Sequence, residues 1–320
     1  MRTAFIQELC GLAEKDERIW LVCGDLGYSV LEDFADRFPD RYLNAGVAEQ
    51  NMTGIAAGLA LMGKTVFIYS IANFPVMRCL EQIRNDVCYH NLNVKIVAVG
   101  GGLAYGSHGY THHAVEDLAV MAAMPNMTVA APGDPQEARA ITRLACEDPG
   151  PMYLRLGKAG EPALHATPID LKVGCSIQVR SGNDLTIIST GGMLASVLAA
   201  ADQLRTQGKS IRVLSMPFLV PIDEKAVLAA IWETPAILTV EEHGCGGLGS
   251  MVAEIIARSG EATCFAPLRL GRTPIKVAGT QDQLRTGQGL GVGDIVRSVE
   301  RAMQHVSSRM ASRKRMPLCP

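Results

Sequence analysis

The sequence predicts an α/β fold of two domains, each a mostly parallel sheet flanked by helices. Three observations predict it. Short β-branched runs alternate with amphipathic segments along nearly the whole chain, the pattern of successive βαβ units. The alternation lapses once, between Lys158 and Gly182, in KAGEPALHATPIDLKVGCSIQVRSG, and then resumes. Finally, 320 residues that are 48% hydrophobic and only 19% charged carry enough apolar surface for two interiors.

Taken in order, RIWLVCGD, TVFIYS, VKIVAVGG, MTVAAP and MYLRLG read as strands of the first domain. Between the first two lies NAGVAEQNMTGIAAGLALMG, Asn44 to Gly63, where Met52, Ile55, Leu59 and Met62 recur at three- and four-residue steps and predict a helix with one buried stripe. A second amphipathic segment runs from Phe74 to Asn91. The helix after MTVAAP has a sharp start, since Asp134 can cap, Pro135 suits the first position and Glu137 completes a capping-box pattern. The second domain reads as DLTIIST, a helix Met193 to Thr206, IRVLSM, a helix after Pro221, AILTVEE, a helix from Gly249, CFAPLRLG, and a last helix from Gly293 to about Val306. The expected limits are therefore 1–165 and 183–306 for the domains, a linker over 166–182, and a mobile basic tail over 307–320.

Composition narrows the partners. A net charge of -2 and a pI near 6.4 give no electrostatic case for nucleic acid or an anionic membrane. The first residues, MRTAFIQELCGLAEKDERIW, show no secretory signal, and no apolar run reaches the ~18 to 20 residues of a membrane span. A cytoplasmic protein is expected. Its nine cysteines include no CxxC pair, so they read as reduced thiols rather than disulfides or a zinc site.

Candidate chemistry starts at Glu49, the one charged side chain between Arg41 and Lys64. Its position relative to Met52, Thr53 and Ala56 puts it on the apolar stripe. Two readings stay open: a half-exposed first-turn acid favoured by the helix dipole, or a carboxyl sunk in a low-dielectric site and suited to exchanging a proton near neutral pH. Gly54 and Gly58 leave the neighbouring face nearly bare, open to another backbone or a flat ligand. The loop GGGLAYGSHGYTHHAVED, Gly100 to Asp117, follows a strand, where α/β folds place their sites. Its His108, His112 and His113 match no zinc spacing, so no metal ligands are expected; they either hydrogen-bond a polar substrate or cap a helix beginning near Ala114. Arg155 closes a strand before a glycine, a place for phosphate or carboxylate recognition or for an internal ion pair. GCGGLGS, Gly244 to Ser250, lacks the lysine of a phosphate-binding loop and reads as tight strand-to-helix packing.

In order along the chain, GVAEQNMTGIAAGLAL, TVFIYS with its helix, GSHGYTHHAVEDLAVMAAMPNMTVAAPGDPQEA and YLRLG resemble the pyrimidine-binding domain of the transketolase family of thiamine-diphosphate enzymes. STGGMLASVLAA, VLSMPFLVPID, EEHGCGGLGSMVAEII and LRLG resemble that family's C-terminal domain, and the same two domains of 1-deoxyxylulose-5-phosphate synthase are similar in flavour. The resemblance spans about Arg2 to Val306. It implies that Glu49, in the AEQ motif, touches the ring nitrogen of the cofactor's aminopyrimidine and holds a proton there. By the same resemblance Tyr69 and Phe74 supply aromatic surface beside the pyrimidine, His112 contacts substrate, Asp25 and Ser29 approach cofactor and donor, and Arg155 holds a substrate phosphate.

Two positions depart from the family pattern. HGYTHH stands where the family has DGPTHQ, so His108 replaces an aspartate that reads a donor hydroxyl, and Gly100 stands where transketolases have a substrate histidine. A neutral histidine still accepts through one nitrogen. The family's GDG motif for the diphosphate and Mg²⁺ does not appear. The resemblance thus implies a partner subunit of the N-terminal transketolase type that carries this motif, and a heterotetramer acting on small sugar substrates. The expected reaction is transfer of a two-carbon ketol unit from a ketose, phosphorylated or not, to an aldehyde acceptor. The alternative is the beta subunit of a decarboxylating enzyme of the 2-oxo-acid dehydrogenase or pyruvate-using synthase type.

Overall fold

The computed structural model describes the backbone of residues 1–314 and side chains through Ser308. Twelve strands are present among the described residues: β1 Ile19–Cys23, β2 Tyr42–Asn44, β3 Thr65–Ile71, β4 Val94–Val99, β5 Thr128–Ala130, β6 Met152–Leu156, β7 Ile177–Arg180, β8 Leu185–Ser189, β9 Ile211–Ser215, β10 Phe218–Val220, β11 Ala236–Val240 and β12 Cys264–Leu268. They form a seven-stranded sheet in the order β10-β5-β6-β4-β3-β1-β2 and a five-stranded sheet in the order β12-β11-β8-β9-β7. Only β10 against β5 and β7 against β9 run antiparallel. β3, β4 and β6 are buried along nearly their whole length, as expected of parallel strands with helices on both faces.

Three features differ from the sequence expectation. β7 lies inside the stretch expected as a linker; Ile177 and Val179 alternate with the more exposed Gln178 and Arg180, an edge-strand pattern too short to stand out among glycines. β10 is contributed by the second half of the chain to the first sheet, bounded by Pro217 and Pro221, which punctuate it like a turn. The last helix runs Val292–Lys314, so helix continues through most of the segment expected as a mobile tail; residues 315–320 lie outside the described ones. The helix starting at Asp134 is capped as read, the Asp134 carboxylate accepting from the Glu137 amide at 2.8 Å with Pro135 as first residue, but the capping box is not completed: the Glu137 carboxylate accepts from the Gly133 amide, not from that of Asp134.

An apolar cluster extends from Met52, Ala56 and Ile68 through Leu118 and Met121 to Leu214, Leu248 and Val252, so the two sheets share an interior. Each fully buried side chain of the Met or Leu kind contributes about 1.5–3 kcal/mol. The sheets are thereby fixed relative to one another.

In the first sheet β1 leads to β2 on one side, while β3 lies on the other side of β1. The chain reverses its winding there, which opens a crevice beyond the carboxyl ends of β1 and β3. The second sheet reverses likewise between β8 and β11.

Candidate functional site

Glu49 is the first residue of the helix Glu49–Leu61, which follows β2 and lies over the β1/β3 crevice. Gly24, the residue after β1, forms the floor: a Cβ there would stand 3.6 Å from Glu49 Cγ and 3.7 Å from Ser70 Oγ. Ser70, on β3, is fully buried and its hydroxyl has no hydrogen-bond partner. Glu49 itself is only 3% exposed, which decides between the two sequence readings in favour of the buried carboxyl. It is not unpaired, however. Arg78 Nη1 donates to Glu49 Oε1 at 2.9 Å and to Oε2 at 3.0 Å. A cavity of about 430 Å³ opens here between Val47, Glu49, Asn51 and Arg78.

From this pair an aromatic chain runs along the carboxyl edge of the sheet. The Arg78 guanidinium lies 4.3 Å from the centre of the Phe74 ring, a cation–π contact. Phe74 meets His112 edge-on at 5.2 Å, His112 lies 4.9 Å from His108, and His108 meets Tyr105 at 5.6 Å. Lys158 sits over the Tyr105 ring at 4.8 Å. Asn73 donates to the Thr111 carbonyl at 2.8 Å, tying the segment after β3 to the histidine loop. Burial, then the neighbouring His108 and Arg78, pushes His112 below the ordinary histidine value. It is therefore a neutral ring at pH 7, with one nitrogen able to donate and one to accept.

His108 and His112 lie in two single turns, Gly106–His108 and Tyr110–His112, and the following helix begins only at Asp117, so neither caps it. The space that a side chain on Gly100 would need is filled by Tyr105, whose Cε2 would lie 2.0 Å from a Cβ there. Gly100 holds φ at +78°, a region that also favours glycine. The missing histidine at this position is thus replaced in space by a tyrosine from farther along the loop.

Other predicted residues fall elsewhere. Tyr69 is corrected: it is 1% exposed, stacked on Phe5 at 6.3 Å in the opposite core, and gives no surface to the crevice. The reason is strand alternation, since Ser70 and not Tyr69 faces the Glu49 helix. Asp25 and Asn44 are joined reciprocally, Asp25 N donating to Asn44 Oδ1 at 3.0 Å and Asn44 Nδ2 to Asp25 Oδ1 at 2.9 Å, at the exposed rim beyond β1 and β2. Ser29 is exposed, and its amide donates to Glu32 at 2.7 Å. Arg155 is buried and internally committed. Its Nε lies 3.0 Å from Asp117 Oδ2, and Nη2 donates to the carbonyls of Ala114 at 2.7 Å and Glu242 at 3.0 Å. It lines a separate cavity of about 440 Å³ between the sheets, with Gly191, Gly192 and Arg285. The internal ion pair is the reading of Arg155 for which the partners are present.

Sequence reasoning missed Arg78, Tyr105, Lys158 and Ser70. Arg78 carried a signal, being the only basic residue between Lys64 and Arg84. Its pairing with Glu49 across 29 residues needed the fold.

A thiamine-type group fits this donor set. There is a buried carboxylate for a protonated ring nitrogen, an aromatic face at Phe74, and an orphaned hydroxyl at Ser70 for a further polar contact.

Comparison with known proteins gives the family. Residues 1–160 match the family described as "Transketolase, pyrimidine binding domain", and residues 174–295 match "Transketolase, C-terminal domain". The chain is 40% identical over 261 residues to one of the subunits of the apulose-4-phosphate transketolase of Phocaeicola vulgatus, covering 81% of this chain and 84% of that one. It is 35% identical over 313 residues to a 6-deoxy-6-sulfo-D-fructose transketolase subunit from Clostridium sp. (strain MSTE9), covering 97% and 96%. A solved structure described as "Split gene transketolase, inactive beta4 tetramer" superposes with a TM-score of 0.84 at 37% identity, covering 95% of this chain and 97% of the other. This chain belongs to the transketolase family.

Proposed function

We propose that this chain is the pyrimidine-binding and C-terminal subunit of a two-chain thiamine-diphosphate enzyme that transfers a two-carbon ketol unit from a ketose or ketose phosphate to an aldehyde. The single observation that carries the reading is Glu49, a carboxylate held almost out of solvent in the β1/β3 crevice beside an aromatic face and an orphaned hydroxyl. Relatives named as transketolase subunits support the two-chain arrangement. Bound thiamine diphosphate supplies the nucleophilic carbon that cleaves and forms carbon–carbon bonds beside a carbonyl.

Glu49 holds a proton at the pyrimidine ring nitrogen, and Arg78 controls how much of that carboxylate is free to do so. Phe74 orients the ring. His112 and His108, side by side at the mouth, bind the substrate's hydroxyl and carbonyl oxygens. The Asp25–Asn44 pair and Ser29 border the approach from β1. The diphosphate and Mg²⁺ are held mainly by the partner subunit, and the two kinds of chain assemble as a heterotetramer. Every described cysteine is a free thiol, which suits the cytoplasm, and no described helix is long and apolar enough to cross a membrane.

The test is reconstitution with a chain that carries the diphosphate motif, followed by product analysis with a labelled ketose phosphate and an aldehyde. Two labelled carbons should appear on the aldehyde. Release of CO₂ from a 2-oxo acid, without that transfer, would replace this reading by the decarboxylating one.

A further inference from the structure

On the side of the histidine loop away from Glu49 lies a second cavity, about 310 Å³, between Tyr110, His113 and Glu116 of the first domain and Cys245, Arg272 and Ile275 of the second. Two of its features are unexplained by the transketolase reading. His113 is 2% exposed, and beyond a backbone contact to Gly106 neither ring nitrogen has a hydrogen-bond partner; burial pushes it below the ordinary histidine value, so a ring with unused hydrogen-bonding capacity lines the cavity. A buried polar group without a partner is unfavourable, and a ligand in the cavity that bonds to it would recover that cost. Across from it Cys245 is an exposed free thiol. Arg272 shares the cavity, and among the described residues it has no carboxylate partner.

We propose that Cys245 is a thiolation site that accepts a small carboxylate-bearing thiol from its disulfide, with Arg272 binding the carboxylate and His113 a polar group of the adduct. The Cys245 thiolate attacks one sulfur of the disulfide RS–SR. The Cys245–SR bond forms, the RS–SR bond breaks, and the electron pair leaves on RS⁻, which takes a proton from water. No further oxidant is needed. The hydrogen bond from Arg272, a second from Ser250 and the charge of Arg269 lower the thiol's pKa, which increases the fraction in the reactive form. Because Tyr110, His113 and Glu116 also line the opening beside Phe74 and Arg78, an adduct here presses on the loop that carries His112.

The full chain provides an internal control, since Cys175 is exposed as well. At neutral pH, dithiobis-nitrobenzoate, which carries carboxylates, should label Cys245 severalfold faster than Cys175, with sites assigned by peptide mass spectrometry. Cys245→Ser should abolish the fast phase. Arg272→Gln should slow dithiobis-nitrobenzoate more than the uncharged dithiodipyridine, and Arg272→Lys should restore part of the difference. Glutathione disulfide should give a mixed disulfide at Cys245 that dithiothreitol removes. Labelling of Cys245 no faster than Cys175, or equal slowing of both reagents by Arg272→Gln, would overturn the proposal. These readouts concern the thiol and not turnover, so they stand apart from the proposed ketol transfer.

Discussion

Arg78 holds both carboxylate oxygens of Glu49 with a single nitrogen, at 2.9 and 3.0 Å, although the two side chains differ sharply in environment: Glu49 is sunk in the crevice while Arg78 is half-exposed. A buried carboxylate without a partner is strongly unfavourable, and here the compensating charge comes from the solvent side. The arrangement leaves lone pairs on Glu49 for a second donor, and Arg78 can swing outward without itself being desolvated.

Removing Arg78 tests that account through stability. Arg78→Ala leaves Glu49 buried and unpaired, so it should destabilise the chain by about 1–2 kcal/mol, above the value for an exposed pair but below the ~3–5 kcal/mol of a fully buried one. Urea unfolding at neutral pH measures it. Adding Glu49→Gln to the Arg78→Ala chain should restore most of the loss, because a neutral amide needs no counter-charge. A double variant as unstable as Arg78→Ala alone would show that Arg78 acts through packing on Phe74.

Glu49→Gln in the reconstituted two-chain complex should keep fold and assembly yet lower turnover by about 10²–10⁴-fold, the range typical for loss of a positioned proton-transfer group. The amide preserves the shape of the side chain, so circular dichroism and size-exclusion behaviour should match the parent. Turnover within a few-fold of the parent would remove the proton-holding role.

Glu241 offers a pH test in the second domain. Burial pushes its carboxyl up from 4.5 to about 7, although it accepts hydrogen bonds from the amides of Leu248 and Gly249 at 2.8 Å. Between these values the folded state holds a proton that the unfolded state has released. The stabilisation is full below pH 4.5 and is lost as pH rises toward and through 7, by about 3 kcal/mol in all. His243, pushed down by burial from 6.5 to about 4, works with the opposite sign: its contribution is present above pH 6.5 and lost as pH falls toward 4. Denaturation midpoints above pH 6.5 therefore leave out His243, and the difference between parent and Glu241→Gln separates Glu241 from Glu137, which burial also pushes up to about 7, and from Lys95, which burial pushes down to about 8. There the parent should lose stability with rising pH more steeply than Glu241→Gln, and parallel curves would exclude Glu241 as the source.

Much of this is legible in the sequence, and for identifiable reasons. The Glu49 helix and the Asp134 cap announce themselves through local spacing, because helix periodicity and capping involve residues three or four apart. Edge strands β7 and β10 do not, since each is three or four residues long and its pairing partner is distant in sequence. The same limit governs the site. Glu49 can be singled out as one charge in an apolar stretch, but Arg78 reaches it from 29 residues away, and Tyr105 fills the place of a Gly100 side chain only through the turn between them. Tyr69 misleads for a subtler reason: one step along a strand exchanges the two faces of the sheet, and spacing from a neighbouring motif does not fix that step.

The face of the Glu49 helix turned away from the core gives the last prediction. Val47, Gly54, Gly58, Leu61 and Met62 form a row, most of it exposed, and a Cβ on Gly54 or Gly58 would meet nothing within 4 Å. A mid-helix glycine costs about 0.5–1 kcal/mol relative to alanine, so two of them with no neighbour to accommodate are unfavourable for the chain alone. Close approach of a partner's backbone gives them a use. Gly58→Ala should accordingly raise the unfolding free energy of the dilute, unassembled chain by about 0.5–1 kcal/mol. Gly58→Trp should leave that chain folded but prevent co-elution with the diphosphate-binding chain. Were the tryptophan variant to assemble and turn over like the parent, the contact between the two chains would have to lie on another face, and the bare glycines would be left without a partner to explain them.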